Sequence, residues 1–302
     1  MHWTKHGRLV AEGPSAEWAR SHLMVPIVVP GATDRVQLYF SARDEHGRAH
    51  IGRGELAFPG GPVVFEGDPL LAPGELGAFD DSGVIGSCLV RDGDRVLLYY
   101  IGWRRGVSVP FYTRIGCAVS EDAGLSFRRV SRGPIIPSDD VDPLFTTSPW
   151  VIREEGRWRM WYASCVRWEQ RADGPRHVYH VRYAESENGL SWRRDGHASI
   201  DFAAPEEYAI ARPCVVRDGD LYRMWYSVRG HRYRIGYAES EDGILWERRD
   251  DVLGLEPSPS GWDSEMVEYP FVLDRDGTRY LLYNGNGYGA TGIGLASLVE
   301  DT

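Results

Sequence analysis

Four cysteines in 302 residues are too few and too scattered for a disulfide framework or a thiolate metal site. Cys88, Cys117, Cys165 and Cys214 fall within strand patterns and read as buried thiols. No apolar run approaches the ~20 residues that cross a bilayer, which argues against a membrane-spanning helix. The opening Met1-His2-Trp3-Thr4-Lys5-His6 carries no apolar segment of the secretory type, so the cytoplasm is the expected location. Positive charge is also scarce. Lys and Arg number 34 against 44 Asp and Glu, a net charge of −10, and the bases are interspersed with acids rather than striped. That balance argues against nucleic acid and anionic membrane as partners. Phosphate loops, dinucleotide fingerprints, His-Glu-x-x-His and Cys-x-x-Cys are missing, and no Gly-x-Ser-x-Gly marks a serine hydrolase. No cofactor is expected, and neither a metal nor an oligomeric state is assigned.

What the chain does contain is repetition. Ser120-Glu121-Asp122-Ala123-Gly124-Leu125-Ser126-Phe127 recurs as Ser186-Glu187-Asn188-Gly189-Leu190-Ser191-Trp192 and as Ser240-Glu241-Asp242-Gly243-Ile244-Leu245-Trp246. Each copy reads as a strand end, a tight Asp- or Asn-Gly turn and an aromatic opening the next strand. A second pattern, out of phase with the first, pairs a strand start with an aromatic strand end five times. Val25-Pro26-Ile27-Val28 precedes Leu38-Tyr39-Phe40, and Gly86-Ser87-Cys88-Leu89 precedes Leu98-Tyr99-Tyr100. Ser148-Pro149-Trp150-Val151 leads to Met160-Trp161-Tyr162, and Arg212-Pro213-Cys214-Val215 to Met224-Trp225-Tyr226. Tyr269-Pro270-Phe271-Val272 leads to Leu281-Leu282-Tyr283. Alternating apolar residues between turn residues indicate hairpins, and Pro suits the first residue of a strand. Five hairpins, each followed by a further strand pair, predict an all-β fold: a five-bladed β-propeller with four antiparallel strands per blade.

The repeat spans residues 1–302, so a single domain is expected. The fifth blade runs out of chain after three strands. Trp3-Thr4-Lys5-His6-Gly7 resembles Trp192-Arg193-Arg194-Asp195-Gly196, an outer strand. The N-terminal strand is therefore expected to close the last blade and leave no open junction in the ring.

The Ser120–Phe127 turn resembles the Asp-box of sialidases and related propellers, which implies a structural role on the outer side of the blades. Five blades shift the resemblance toward the glycoside-hydrolase superfamily of arabinanases, xylosidases, invertases and β-mannoside phosphorylases. Ala42-Arg43-Asp44, Phe79-Asp80-Asp81-Ser82-Gly83, Trp262-Asp263-Ser264-Glu265-Met266 and Tyr283-Asn284-Gly285-Asn286 look most like bacterial glycosidase-like propellers. The resemblance implies three acids at the inner ends of successive blades. The first blade departs from it, because His22-Leu23-Met24-Val25-Pro26 has no acid where an Asp is expected. Either Asp44 substitutes, or the usual water-activating base is absent.

In such a ring the loop entering strand one and the loop leaving strand two share one face, around the axis. Entry loops then supply Asp80, Asp81, Asp142, Glu206, Glu207, Asp263, Glu265 and Glu268. Exit loops supply Arg43, Asp44, Trp103, Arg104, Trp168, Glu169, Arg229, His231, Asn284 and Asn286. Carboxylates, Arg, Asn and Trp around one concavity suit a sugar. Glycoside cleavage needs two carboxyl groups in different environments. Asp81 and Glu268 are the first candidates, followed by Glu207, Glu265 and Asp44. Asp80-Asp81-Ser82-Gly83 also reads well as a turn. Glu268, two residues before Pro270, lies toward the axis, where burial should raise its pKa. Arg212 and His22 lie near the axis by the same alignment. Arg212 suits a substrate carboxylate or phosphate, or a buried pairing with Glu207 or Glu268. The expected activity is cleavage or transfer of a glycosyl group on a small sugar or glycoconjugate. A non-hydrolytic biosynthetic enzyme and a non-catalytic sugar-binding propeller are the alternatives.

Overall fold

The computed structural model describes residues 1–31 and 34–299. Among the described residues the strands fall into antiparallel runs that follow one another along the chain. The first run is Ser21–Pro30, Arg35–Arg43, Ala49–Ala57 and Val63–Phe65. The second is Gly83–Asp92, Arg95–Arg105, Phe111–Ser120 and Arg128–Arg129. The third is Thr146–Glu154, Arg157–Arg171, Gly174–Ser186 and Ala198–Ile200. The fourth is Ala209–Asp218, Leu221–Arg229, Tyr233–Ser240 and Glu247–Arg248. The fifth is Glu268–Arg275, Thr278–Asn284 and Ile293–Val299, and its outermost strand is His2–Val10, paired from His2↔Val299 to Val10↔Ile293. Single parallel bridges, Ala49↔Gly83 and Tyr179↔Ala209, tie the first run to the second and the third to the fourth. One apolar core passes through all the runs, because the inner strands, such as Ser21–Pro30, Arg95–Arg105 and Ala209–Asp218, are buried over most of their length.

Four of the runs are braced by the same polar strut. The Tyr100 hydroxyl donates to Asp80 at 3.1 Å, and Arg129 donates to the same carboxylate at 2.8 Å. Tyr162 donates to Asp142 at 2.9 Å, with Arg182 and Arg194 as counter-ions. Tyr283 donates to Asp263 at 3.0 Å, and Lys5 pairs with it at 2.7 Å. In the fourth run Tyr226 donates to Asp250 at 2.6 Å, while Arg248 bonds both Asp250 and Glu207. Arg129, Arg194, Arg248 and Lys5 each follow an aromatic, Phe127, Trp192, Trp246 or Trp3, by two positions. Lys5, the chain's single lysine, thus occupies the strut position that Arg194 holds in the third run. The first run replaces the strut with rings: Trp18 stacks on Phe40 at 5.9 Å, and Phe65 meets Phe40 edge-on at 5.2 Å.

The repeated turns hold neighbouring runs together. Backbone N–H groups after Asp122, Asn188 and Asp242 donate to those side chains, which fixes each turn. The turn glycine's carbonyl then accepts a hydrogen bond from the preceding run: Tyr39 to Gly124 at 3.3 Å, Tyr99 to Gly189 at 2.8 Å, Trp161 to Gly243 at 2.9 Å. At Gly189 φ is +74°, and an added Cβ would lie 2.7 Å from the Tyr99 hydroxyl and 3.0 Å from the Trp158 ring. Gly189→Ala is therefore expected to lower stability by about 2 kcal/mol. An unchanged denaturant midpoint for that variant would contradict the clamp.

Candidate functional site

The innermost strand of each of the five runs carries a one-residue bulge, and four of these bulges shape the site. Register slips between Met24 and Ile27, Thr147 and Trp150, Ala211 and Cys214, and Glu268 and Phe271. Within them Val25, Ser148, Arg212 and Tyr269 have φ of 54°, 50°, 54° and 55°. Each precedes a proline, which has no N–H to lose from the ladder. Non-glycine residues in the left-handed region store about 1–3 kcal/mol each, most for β-branched Val25. All four line one cavity of about 300 Å³, together with Arg43, Trp103, Phe111, Phe145, His177, Tyr179, Arg229, Tyr233 and Tyr288.

The cavity's chemistry is aromatic, phenolic and cationic. Tyr179 and Tyr233 share a 2.8 Å hydrogen bond, and His177 stacks on Tyr179 at 4.9 Å. Burial pushes the Tyr179 and Tyr233 phenols up, so both are neutral. Burial, with Arg229 and Arg176 nearby, lowers His177 to about 4. Arg229 donates to the Tyr288 hydroxyl at 2.8 Å and lies over the Tyr208, Tyr233 and Tyr288 rings. Arg43 sits 3.3 Å from the His22 ring, whose pKa burial and Arg43 lower to about 4.

Glu268 is 0 % exposed, and among the described residues neither carboxylate oxygen has a hydrogen-bond partner. It interacts electrostatically with Arg229, Arg43, Tyr179, Tyr233 and Tyr269, all residues of the cavity wall. Burial raises its pKa well above the usual carboxylate range, and the two arginines offset only part of that effect.

Of the residues expected at the axis, exit-loop residues Arg43, Trp103 and Arg229 converge on this cavity with Arg212, while His22 and Glu268 lie against its wall. The other expected acids lie away from the cavity wall. Asp44 accepts from the His46 and Arg48 backbones and pairs with the Arg48 guanidinium at 2.8 Å, closing its own hairpin. Asp81 accepts from the Gly77 N–H and the Ser82 hydroxyl, which makes it a turn residue. Glu207 is held by Arg234, Arg248 and the Ala203 N–H. Burial alone would raise its pKa, but these partners hold it below the ordinary value. Glu265 is exposed, and only its backbone N–H contacts Asn286.

The amides are structural as well. Asn284 joins the last run to the first through the Val25 N–H and the Leu23 carbonyl, and Asn286 caps the Gly261–Met266 loop. Arg104, next to Trp103 on an alternating strand, lines a separate surface hollow with Tyr112 and Arg114. Arg212 pairs with neither Glu207 nor Glu268, because its guanidinium donates to backbone carbonyls instead. Sequence reasoning missed Phe111, Phe145, His177, Tyr179, Tyr233, Tyr269 and Tyr288. The available signal was aromatic residues at the starts of third strands, as in Phe111, His177-x-Tyr179 and Tyr233.

Solved glycoside hydrolases share this architecture. One glycoside hydrolase superposes with a TM-score of 0.77 at 18% identity, covering 97% of this protein and 90% of that one. A thermostable family-43 glycoside hydrolase superposes with a TM-score of 0.71 at 15% identity, covering 97% and 94%. The protein therefore has the propeller fold of glycoside hydrolases. No family model matches it. Over 300 residues it is 44% identical to the Uncharacterized protein MT1551 of Mycobacterium tuberculosis (strain CDC 1551 / Oshkosh), covering 99% of both proteins. It belongs to the same family as that mycobacterial protein.

Proposed function

We propose that the protein is a five-bladed β-propeller enzyme that acts on a glycosyl group of a small sugar or glycoconjugate held in the axial cavity, with Glu268 as the proton-donating acid. Glu268 carries this reading: a carboxyl without hydrogen-bond partners, kept protonated by burial, among arginines and aromatic rings. A general acid must hold its proton at neutral pH, and Trp103, Phe111 and Tyr288 offer ring faces to a sugar. In this reading the five runs are the five blades, the Ser120–Phe127 turn is an Asp-box, and the enzyme works in the cytoplasm. The test is turnover of a panel of aryl glycosides. Glu268→Gln is expected to lower kcat about 100-fold or more with KM within a few-fold; equal turnover would remove the proposal.

A second reading is favoured by what lines the cavity. Among the described residues no carboxylate forms part of its wall, whereas glycoside hydrolysis uses two acids ~5–9.5 Å apart. On that reading the scaffold runs a non-hydrolytic reaction or only binds its sugar. Loss of sugar binding in Trp103→Ala, with Glu268→Gln unchanged in every assay, would establish binding without chemistry.

A further inference from the structure

Arginines in this protein are normally matched to acids. Arg159 pairs with Glu154 at 2.9 Å, Arg194 with Asp139 and Asp142, Arg248 with Glu207 and Asp250, and Arg279 with Asp274. Arg43, Arg212 and Arg229 break that pattern. Among the described residues none of the three has a carboxylate within ion-pair distance, yet all three line the same cavity. Arg212 is 1 % exposed; its terminal nitrogens donate to the Ser87 carbonyl at 2.6 Å and the Pro26 carbonyl at 3.4 Å, and among the described residues its Nε has no partner. The Nε of Arg229 is buried and unpartnered too. A buried cation without a counter-ion is costly. Among the described residues the one carboxyl beside these groups is Glu268, whose pKa burial raises and which hydrogen-bonds to none of them. A cavity with three arginines that no carboxylate ion-pairs, among the described residues, therefore sits inside a chain of net charge −10.

We infer that the cavity is built for a glycosyl group bearing an anionic substituent, a carboxylate or a phosphate, which supplies the counter-ion that Arg43, Arg212 and Arg229 lack. Guanidinium forks match both oxyanions in bidentate geometry, while the rings of Trp103, Phe111 and Tyr288 take the uncharged part of the sugar. The inference rests on reading the cavity as a sugar site and specifies which sugars it takes.

Calorimetric titration of the full chain with D-glucuronate, D-glucose 6-phosphate, inorganic phosphate and D-glucose at one ionic strength tests it. At least one of the sugar acids is expected to bind about 30-fold or more tightly than glucose and more tightly than inorganic phosphate. Arg212→Met is expected to weaken that binding about 30-fold or more. Should Arg212→Met fail to fold, Arg229→Met, at a half-buried position, gives the same readout. Glucose binding as tightly as the sugar acids would overturn the inference, as would unchanged affinity in the folded arginine variant. Inorganic phosphate matching both sugar acids, or no acid binding at all, would overturn it as well. Retained binding of a sugar acid when Glu268→Gln leaves turnover unaffected would remove the catalytic role and keep this inference. Turnover of neutral glycosides without any binding of acids would do the reverse.

Discussion

A chain lacking residues 1–10 is expected to lose cooperative unfolding, or to melt tens of degrees below the intact protein. His2–Val10 covers the edge of Ile293–Val299, and an uncovered edge strand leaves a row of N–H and C=O groups unpaired. The same strand buries Trp3 and Val10 and brings Lys5 to the buried Asp263 carboxylate. Removing a buried aromatic costs about 3–5 kcal/mol, and breaking a buried ion pair by deleting one partner costs about as much again. The sum is comparable to the whole ~5–15 kcal/mol stability of a typical fold. Lys5→Met alone is the finer probe, expected to cost about 3 kcal/mol, much of it restored when Asp263→Asn is added. A truncated chain that melts within a few degrees of the intact one would show that the N-terminal strand does not close the fold.

The second large effect is a pH dependence tied to Glu268. Its folded pKa lies well above the ordinary 4.5. Folding therefore takes up a proton in the interval between the two values. The stability this contributes is fully present below pH 4.5 and is lost as pH rises through the folded pKa. Within the interval the wild type should lose about 1.4 kcal/mol per pH unit relative to Glu268→Gln, which has no proton to give up. His22 and His177, both lowered from 6.5 to about 4, act in the opposite sense, losing stability as pH falls below the ordinary value. They are present in both proteins and cancel in the difference. Urea denaturation of the two at about pH 5, 6, 7 and 8 makes the measurement, and parallel stability curves would refute a buried neutral carboxyl. If Glu268 is the acid, turnover holds through that interval and falls as pH rises through the folded pKa.

Much of the architecture was legible because strand and turn chemistry is local. Alternation, Asp/Asn-Gly turns and Pro at strand starts set the hairpins, and the likeness of Trp3-Thr4-Lys5 to Trp192-Arg193-Arg194 is visible in the chain itself. The polar struts are also written there: Asp80, Asp142 and Asp263 each stand 20 residues before Tyr100, Tyr162 and Tyr283. That spacing marks these acids as braces for their own runs, so the entry-loop carboxylates assigned to the cavity are committed elsewhere. The place of Glu268 beside Pro270 pointed to its burial, which the fold provides. The loop positions put Asp81 ahead of its buried neighbour Asp80, and neither reaches the cavity wall.

By itself, then, the sequence determined the repeat, the strand pattern and the partner strand for the last run. Each follows from side-chain periodicity and turn preference within a few tens of residues. Only the tertiary structure decided which charges are neutralised. Whether an arginine or a carboxylate is free depends on how its own turn closes and on which groups other runs bring to it, as Ser87 and Pro26 are brought to Arg212. Asp44 and Asp81 are held by neighbours within four residues and Glu207 by Arg234 and Arg248 of its own run, while among the described residues Arg43, Arg212 and Arg229 ion-pair with no carboxylate. For that reason a cavity expected to be ringed by acids is lined instead by cations and aromatic rings.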